Sequence, residues 1–288
     1  MSKIVFNFLY FSGINYFFRL LNEKKLVLLG YHSIVDLSKQ NDYALELYPG
    51  LAVSKNHFEN QISYLKEKGY VFLNFSDLEL VKEGKMLTSK KSAIIYFDDG
   101  FRDIYFNAYP ILKKYDARAT IFLTIDFVNQ NSASKSIVEN AKTRNRKLDF
   151  SATPIYLSWR ECALMKDIIE YGAHGVTHQK LNELGGQDLD REIQVSKNEI
   201  ERNLNIRTTA FSYPHGRFND VTEREIRKAG FLFSISTKYG ANDIRELGRP
   251  LRKIIIGPED DVKSLEVKLG AYYPLRTIAL RLLGKNYG

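Results

Sequence analysis

Two neighbouring carboxylates are the first groups in this 288-residue chain that could do chemistry. Asp98 and Asp99 directly follow the apolar run Ala93–Phe97, and Gly100 comes next. Burying an unpaired carboxylate is costly, so such a pair at the end of a buried strand usually has a cation or a catalytic task. On this motif alone a surface turn is an equal alternative, because Asp-Gly is a common turn dipeptide.

Two histidines, His174 and His178, also follow an apolar run. Histidines four residues apart can reach one ion from a single turn, although such a pair is weak evidence by itself. Of the five histidines in the chain, His32 also comes directly after a predicted strand. One carboxylate and two imidazoles leave coordination positions open, as catalytic zinc requires, and the second carboxylate remains available as a general base.

Short apolar runs alternate with helical patterns, which predicts parallel βα units. The predicted strands are Leu26–Tyr31, Tyr70–Leu73, Ala93–Phe97, Ala119–Thr124, Ile169–Ala173, Thr209–Tyr213, Phe231–Ser236 and Ile254–Ile256. The predicted helices are Ser54–Lys68, Phe106–Tyr115, Ser158–Glu170, Gln187–Leu204 and Val221–Ala229. These units predict an α/β fold, a distorted (β/α) barrel with seven or so parallel strands. The carboxyl ends of barrel strands share one face, where the acids and histidines would meet.

In combination, these motifs resemble the polysaccharide deacetylase family, which is also called the NodB-homology domain or carbohydrate esterase family 4. The similarity extends over roughly residues 26–260 in the family's order. Besides the two acids and the histidine pair, the similar segments are Tyr31-His32-Ser-Ile, Phe58-x-x-Gln-Ile, Thr120-Ile-Phe and Phe211-Ser-Tyr-Pro-His-Gly216. The resemblance implies a NodB-type barrel and the hydrolysis of an N-acetyl group on an amino sugar.

The resemblance also implies a role for each matching position. A divalent ion, zinc in our prediction, would be bound by Asp99, His174 and His178. Asp98 would act as the general base. A segment that lines the site and holds the oxyanion through a backbone N–H would be Tyr213, Pro214 and His215. His215 stands where the family often has a tyrosine, so only its backbone role carries over.

The general acid departs from the usual family pattern, because no histidine follows His215. The poly-N-acetylglucosamine deacetylase branch takes this residue from an N-terminal Tyr-His motif, which Tyr31-His32 resembles. His32 is therefore the predicted acid, with a structural histidine as the alternative; His57, at a helix start, is predicted to be structural. The family orients its base with a late arginine, for which Arg249 and Arg252 are equal candidates.

Composition narrows the function classes. The single cysteine, Cys162, excludes a disulfide framework and a thiolate metal cluster. The net charge is +8, but the basic residues are mixed with acidic ones and no nucleic-acid motif accompanies them. We therefore expect no nucleic-acid partner and interpret the charge as a hint of an anionic surface or substrate.

The segment 1–22 is strongly apolar and aromatic, but polar residues interrupt it and it lacks the features of a signal peptide. It is predicted to be a helix that either packs on the catalytic domain, residues 23–288, or lies on a membrane surface, and we favour peripheral membrane contact. A cytoplasmic location, or the cytoplasmic face of a membrane, follows as the expected site of action.

The predicted substrate is an N-acetylated polysaccharide or glycolipid intermediate. Two alternatives remain at this point: an O-acetyl esterase that uses the same site, and a non-catalytic glycan- or membrane-binding module. The long polar segment 129–154, through Arg144, Arg146 and Lys147, either contacts an anionic part of the substrate or is a solvated insertion.

Overall fold

Strands and helices alternate along the chain in the computed structural model, which describes residues 3–22, 25–38, 49–87, 91–129, 155–244, 247 and 250–282. The strands in these ranges are β1 (Leu26–Tyr31), β2 (Ser33–Val35), β3 (Ala52–Ser54), β4 (Val71–Leu73), β5 (Ser92–Phe97), β6 (Ala119–Leu123), β7 (Ile169–Ala173), β8 (Ala210–Ser212), β9 (Phe233–Tyr239) and β10 (Leu251–Ile255). The predicted loop 129–154 lies outside the described residues beyond Asn129.

The α-helices surround the strands. They are α1 (Lys3–Phe11), α2 (Gly13–Asn22), α3 (Lys55–Glu67), α4 (Phe75–Lys82), α5 (Tyr109–Lys114), α6 (Ile125–Val128), α7 (Trp159–Leu164), α8 (Gly186–Asp190), α9 (Ser196–Leu204), α10 (Asp220–Lys228), α11 (Val262–Leu269) and α12 (Tyr272–Leu282). Short π-helical turns occupy Ile104–Ala108 and Arg191–Val195. Among the described residues, no helix is both long enough and apolar enough to cross a membrane.

Seven parallel strands close into a barrel in the order β1-β10-β9-β8-β7-β6-β5, and β5 returns to β1 through six paired positions. The predicted distorted (β/α) barrel is therefore confirmed. The distortion has a visible origin at β5. Its first half, Ser92–Ile94, pairs with the short strand β4, and its second half, Ile95–Phe97, pairs with β6. The barrel wall thus divides at this point.

The barrel interior is filled by alternate residues of each strand, as the two-residue period of a strand requires. Leu28 of β1, Ile94 and Tyr96 of β5 and Phe122 of β6 belong to this inner cluster and are fully buried. Gly30 faces the same side, because a Cβ atom there would lie 2.3 Å from the hydroxyl oxygen of Tyr96. A side chain at this position would collide with the inner layer.

Several predicted element boundaries are wrong, each for a local reason. The predicted helix Ser158–Glu170 ends at Leu164, because Ile169 already begins β7. The predicted strand Ile254–Ile256 begins three residues earlier, at Leu251. The predicted helices Phe106–Tyr115 and Gln187–Leu204 each include a π-helical turn. Six elements of the structure were not predicted from the sequence: β2, β3, α4, α6, α11 and α12.

The apolar N-terminal segment forms two helices that meet at Ser12 and pack on the two C-terminal helices. Leu9 of α1, Val267 of α11 and Ala271 form a small apolar cluster apart from the barrel core. Val267 and Ala271 are completely buried there. One side of the N-terminal helices therefore packs on the protein, as the first of the two predictions for this segment requires.

Candidate active site

The acids and histidines of the predicted site come together at the carboxyl ends of three barrel strands. Their positions follow from the strand period, because His32, Asp98 and His174 each lie two residues beyond an inward-facing position. Those inward positions are Gly30, Tyr96 and Gly172, which all crowd side chains of the inner cluster. All three side chains line one cavity of about 410 Å³.

The turn after β5 gives the two acids different directions. The backbone N–H of Asp98 continues the sheet by donating to the carbonyl of Tyr31 at 3.0 Å, and Gly100 then donates back to the carbonyl of Asp98 at 2.9 Å. Asp99 and Gly100 have φ values of 72° and 80°, so the backbone is left-handed at both. This conformation is strained at Asp99, at a cost of about 1–3 kcal/mol, and the glycine makes it tolerable at the next residue.

Asp99, His174 and His178 form a compact group of potential metal ligands. Their ligand atoms lie within 4.8 Å of one another. Oδ1 of Asp99 lies 3.4 Å from Nε2 of His174 and 3.2 Å from Nε2 of His178. The same oxygen is buried and accepts no hydrogen bond from the described residues. A buried carboxylate oxygen in that position lacks a partner that a cation would supply, so this group fits a divalent ion.

A backbone contact fixes the orientation of His174. Its Nδ1 atom lies 2.7 Å from the carbonyl oxygen of Ser212, in the neighbouring strand β8. A carbonyl can only accept, so Nδ1 carries the proton and donates it. Nε2 therefore faces Asp99, and it is the ring nitrogen that could bind a metal once it has given up its own proton.

The electrostatics of this group favour its charged forms. Burial by itself would raise the pKa of Asp99, but His178 and His174 outweigh burial and hold this pKa well below its ordinary value. Burial likewise tends to lower the pKa of His174, but the carboxylates of Asp98 and Asp99 reverse this effect and raise it. The pocket therefore keeps Asp99 ionised and ready to bind a cation.

A buried glutamate shapes the loop between the two histidines of the potential metal site. Glu192, 2% exposed, accepts hydrogen bonds from the backbone N–H of Val176 at 2.7 Å and of Thr177 at 3.0 Å. It also accepts one from the hydroxyl of Thr177 at 2.6 Å. The loop needs this support because His178 itself has a left-handed backbone, with φ of 62°. Glu192 thereby positions His178.

Replacing Glu192 by alanine is expected to weaken metal binding by about 10–100-fold, the usual effect of losing a residue that orients a ligand. The variant leaves two buried N–H groups without acceptors, which costs about 1–3 kcal/mol each. Isothermal titration with zinc measures the affinity, and thermal unfolding of the metal-free protein measures the stability loss. Glu199→Ala, an exchange in the following helix away from the loop, is the matched control. Equal zinc affinities of both variants would contradict the positioning role.

Hydrogen bonds of the residues before and after His32 hold it in place. Tyr31, before it, is buried and donates to Oε1 of Gln61 at 2.9 Å. After it, Ser33 donates its hydroxyl proton to Asp103, and the N–H of Ile34 donates to the same carboxylate at 3.1 Å. Asp103, which directly precedes the π-helical turn Ile104–Ala108, thus fixes the segment that begins with His32.

The predicted acid and base both present polar atoms to the cavity. Oδ1 of Asp98 and Nδ1 of His32 are buried and have no hydrogen-bond partner among the described residues. Asp98 is 3% exposed. Burial lowers the pKa of His32, although Asp99 and Asp98 counteract this effect. Such atoms are suited to exchange protons with a substrate that enters the cavity.

The segment after β8 lies at the opposite wall of the cavity. Residues 214–216 form one 3₁₀ turn, and His215 has a left-handed backbone with φ of 55°. The turn's own hydrogen bonds run from Gly216 and Arg217 and do not use the N–H of His215. The ring of His215 lies 4.6 Å from that of His178. The predicted oxyanion donor is therefore adjacent to the metal group.

The other two residues of this predicted segment have supporting contacts. Tyr213 borders the cavity, but its hydroxyl donates to Glu223 at 2.5 Å and its ring stacks on Phe218. Pro214 is buried beside Gly175 of the histidine loop, where its Cγ atom would contact an added Cβ at 3.6 Å. The side chains of Tyr213 and Pro214 thus hold the turn in place. The group that this turn offers to a substrate is the backbone N–H of His215.

A cationic residue that was not predicted, a lysine, lines the cavity next to one of the two candidate arginines. Lys253 of β10 lines the cavity and is only 8% exposed. It lies two residues beyond Leu251, which faces the inner cluster. Arg252 therefore points outward, is exposed and lines a different cavity, so it cannot orient the base. Arg249 lies outside the described residues. The charge of Lys253 lowers the pKa of His32.

The remaining walls of the cavity are apolar. Phe127 and Tyr156 stack with their ring centroids 4.3 Å apart, and Phe127 also lies beside the ring of His178. Leu51 completes this side. None of these three was predicted, because each lies in a connecting segment whose position depends on the tertiary fold. His57 lies at the start of α3 and is not part of the cavity lining.

The single cysteine of the chain does not lie in a catalytic environment. Cys162 is completely buried in α7, and burial raises the pKa of its thiol to about 12. A thiol with such a pKa carries almost no thiolate at neutral pH. Cys162 is therefore a core residue.

Comparisons with known proteins agree with this geometry. The chain is similar to the polysaccharide deacetylase YxkH of Bacillus subtilis, with 29% identity over 81% of this chain and 72% of that protein. It is similar to a poly-β-1,6-N-acetyl-D-glucosamine N-deacetylase of Staphylococcus aureus, with 26% identity over 76% of this chain and 74% of the relative. The solved structure of the Streptococcus pyogenes deacetylase PplD with acetate superposes with a TM-score of 0.69 at 26% identity, covering 85% and 98% of the two chains.

The family assignment rests on a match that spans the site. The sequence profile described as polysaccharide deacetylase matches residues 85–234, which is more than half of the chain. That range includes both acids of the cavity and both histidines of the potential metal site. The chain therefore belongs to the polysaccharide deacetylase family.

Proposed function

We propose that the protein is a metal-dependent deacetylase that hydrolyses the N-acetyl group of an amino sugar in a glycan or glycolipid. The supporting observation is the grouping of Asp98 and His32 around the three potential metal ligands in one cavity. Membership of a deacetylase family and similarity to the Staphylococcus aureus N-deacetylase support the same reaction.

Zinc is the metal that we propose, because two imidazoles and one carboxylate form a ligand set that zinc accepts with positions left open. The residues that would hold it are Asp99, His174 and His178. When bound, a divalent ion supplies Lewis-acid polarisation of the acetyl carbonyl and acidifies water.

The chain's own groups would carry the protons of the reaction. Asp98 accepts a proton from the attacking water, since its Oδ1 atom is buried and without a hydrogen-bond partner among the described residues. The N–H of His215 donates to the oxygen that becomes negative as the carbonyl carbon becomes tetrahedral. His32 donates a proton to the departing nitrogen as the C–N bond breaks. The products are acetate and a free amino sugar, so water and both protons are accounted for.

The apolar wall suggests how a sugar would be held. Sugar rings present faces of C–H groups, and the stacked pair Phe127 and Tyr156 offers an aromatic surface beside the metal group. Leu51 adds an aliphatic contact. We propose that this wall orients the amino sugar so that its acetyl group reaches Asp98.

O-acetyl ester cleavage is the second candidate function, and one observation favours it. The lowered pKa of His32 reduces its protonated fraction at neutral pH. An alkoxide leaves more readily than an amine anion, so ester cleavage depends less on an acid. The two reactions therefore differ in how much they need His32.

Acetate release from N-acetylglucosamine oligomers and from an O-acetylated glycan tests both candidates. We expect release from the N-acetyl substrate, and a decrease of about 10²–10⁴-fold when His32 is replaced by alanine, because the amine cannot leave unprotonated. His57→Ala, an exchange outside the cavity, is the matched control and should retain full activity. Release from the ester alone, unchanged in the His32 variant, would assign the site to O-deacetylation.

A further inference from the structure

Helix α2 packs with its polar side toward the protein. Asn15 is 2% exposed, and its side-chain oxygen accepts a hydrogen bond at 3.1 Å from the backbone N–H of Ala271, directly before α12. Asn22 donates to the carbonyl of Leu269 at 2.9 Å, and Arg19 forms an ion pair with Glu266. These three polar residues are spaced four and three positions apart, so they lie on one helix face. The inner face of α2 is therefore mostly polar, and Phe18 is its apolar contact with the cluster of Leu9, Val267 and Ala271.

The outer face of the same helix is apolar. Ile14, Phe17 and Leu21 share that face, with 43%, 57% and 54% of their surface exposed. Leu20, beside them, is 46% exposed. A helix on a water-facing protein surface has the opposite arrangement, with its apolar stripe against the core. The polarity of α2 is thus inverted, and an apolar medium outside the molecule would explain it.

Helix α1 extends the exposed apolar area with two aromatic side chains. Phe8 and Phe11 are 65% and 75% exposed. We use the name N-terminal apolar surface for these two residues and the four of α2: Phe8, Phe11, Ile14, Phe17, Leu20 and Leu21. Contiguous exposed apolar groups of this size mark interaction sites.

Cationic groups border the N-terminal apolar surface at both ends. Nζ of Lys263 lies 5.7 Å from the ring centroid of Tyr10 and 6.0 Å from that of Phe11. At the far end of α2, Asn22 and several residues of α12 line a cavity of about 600 Å³. Its charged lining includes Lys25, Lys238 and Arg252. The carboxylate of Asp243 also lines it, and so does Lys268, which is paired with Asp260.

We propose that the N-terminal apolar surface docks on a membrane that contains anionic phospholipids, with the cationic cavity next to the lipid phosphates. Aromatic and aliphatic side chains beside lysines and arginines are the composition that partitions into the boundary between headgroups and acyl chains. A second copy of the chain is a poorer occupant. A two-fold interface brings identical patches together and would place the cationic borders of two copies near each other.

Co-sedimentation of the full chain with vesicles tests the apolar part of the proposal. Wild type is expected to bind phosphatidylcholine vesicles that contain phosphatidylglycerol. Phe17→Ser and Leu21→Ser should each weaken binding by about tenfold or more, since each removes a side chain that inserts. Leu87→Ser is the matched control, because Leu87 is 94% exposed on another part of the surface. This control should bind as wild type does, and all variants should keep the thermal midpoint of the wild type.

The lipid charge tests the cationic part. Lys25→Gln and Lys238→Gln should each weaken binding to the anionic vesicles by about fivefold and leave binding to pure phosphatidylcholine unchanged. Added salt should reduce the difference in binding to anionic vesicles between wild type and these two variants. Failure of wild type to bind anionic vesicles, or equal binding by wild type and Phe17→Ser, would overturn the proposal. A wild-type dimer that Phe17→Ser converts to a monomer would instead assign the surface to a second copy.

Discussion

Replacing Asp98 by asparagine is expected to lower kcat for deacetylation by about 10²–10⁴-fold, the range for losing a general base. Asparagine has nearly the same shape as aspartate, so the turn after β5 and the hydrogen bond from Asp98 to Tyr31 should persist. The amide cannot accept the proton of the attacking water. KM should change little, because the aromatic wall of Phe127 and Tyr156 is untouched.

Two further measurements separate loss of the base from loss of the metal or of the fold. Asp98 is not one of the grouped ligands, so Asp98→Asn protein should retain its metal by elemental analysis. Asp99→Asn is the matched exchange at the neighbouring position and should lose both metal affinity and activity. An Asp98→Asn enzyme that is folded, loaded with metal and as active as wild type would show that another group accepts the proton.

Removing the metal should have the larger effect and reduce acetate release to the uncatalysed background. In the proposed mechanism the three potential ligand residues would hold the ion, and without it Asp98 would have no comparably activated water. Activity should return on addition of zinc. Because the ion binds the folded chain, zinc at about 100 times its Kd should also raise the free energy of unfolding by about 2.7 kcal/mol.

The stability measurement provides a control that does not depend on activity. His174→Ala protein should show little rise in its thermal midpoint with zinc, whereas wild type should show a clear one. Elemental analysis of the chelated protein completes the test. Full activity in protein shown to hold no metal would contradict the metal-dependent mechanism and leave only the family fold in place.

Much of the barrel is visible in the sequence because its strands are buried on both faces. The bounds of β1 and β7 agree with the predictions at both ends. β1 is a continuous apolar run, and β7 is apolar except for Glu170. A histidine of the candidate site directly follows each strand, His32 after β1 and His174 after β7. The change from apolar to polar residues therefore marks both the end of a strand and the start of the site.

Lys253 shows where this kind of prediction fails. A buried lysine is rare, so the run that contains it does not look like a strand that lines a core. The prediction placed β10 at Ile254–Ile256 and missed the first half of the strand. Had the strand been started at Leu251, counting in steps of two would have placed Lys253 inside and Arg252 outside.

The backbone conformation of the site is a second feature that residue types do not reveal. Asp99, His178 and His215 all have left-handed backbones, although none of them is glycine. Their sequence neighbours give no sign of this, because the surrounding structure imposes the conformation. Glu192 supports the loop that carries His178, but it lies sixteen residues after Val176, to which it is hydrogen-bonded. Its role could be recognised only from the folded structure.

The inverted polarity of α2 has a practical consequence for purification and crystallisation. Deleting residues 3–22 is an obvious remedy for a protein that adheres to columns and to other chains. That truncation would uncover Val267 and Ala271, which the N-terminal helices keep away from water, and would remove the acceptor that Asn15 provides. The truncated protein would expose a different apolar surface and would have a lower free energy of unfolding. Serine substitutions at Phe17 and Leu21 avoid this outcome, because they change solubility while the polar inner face of the helix stays attached.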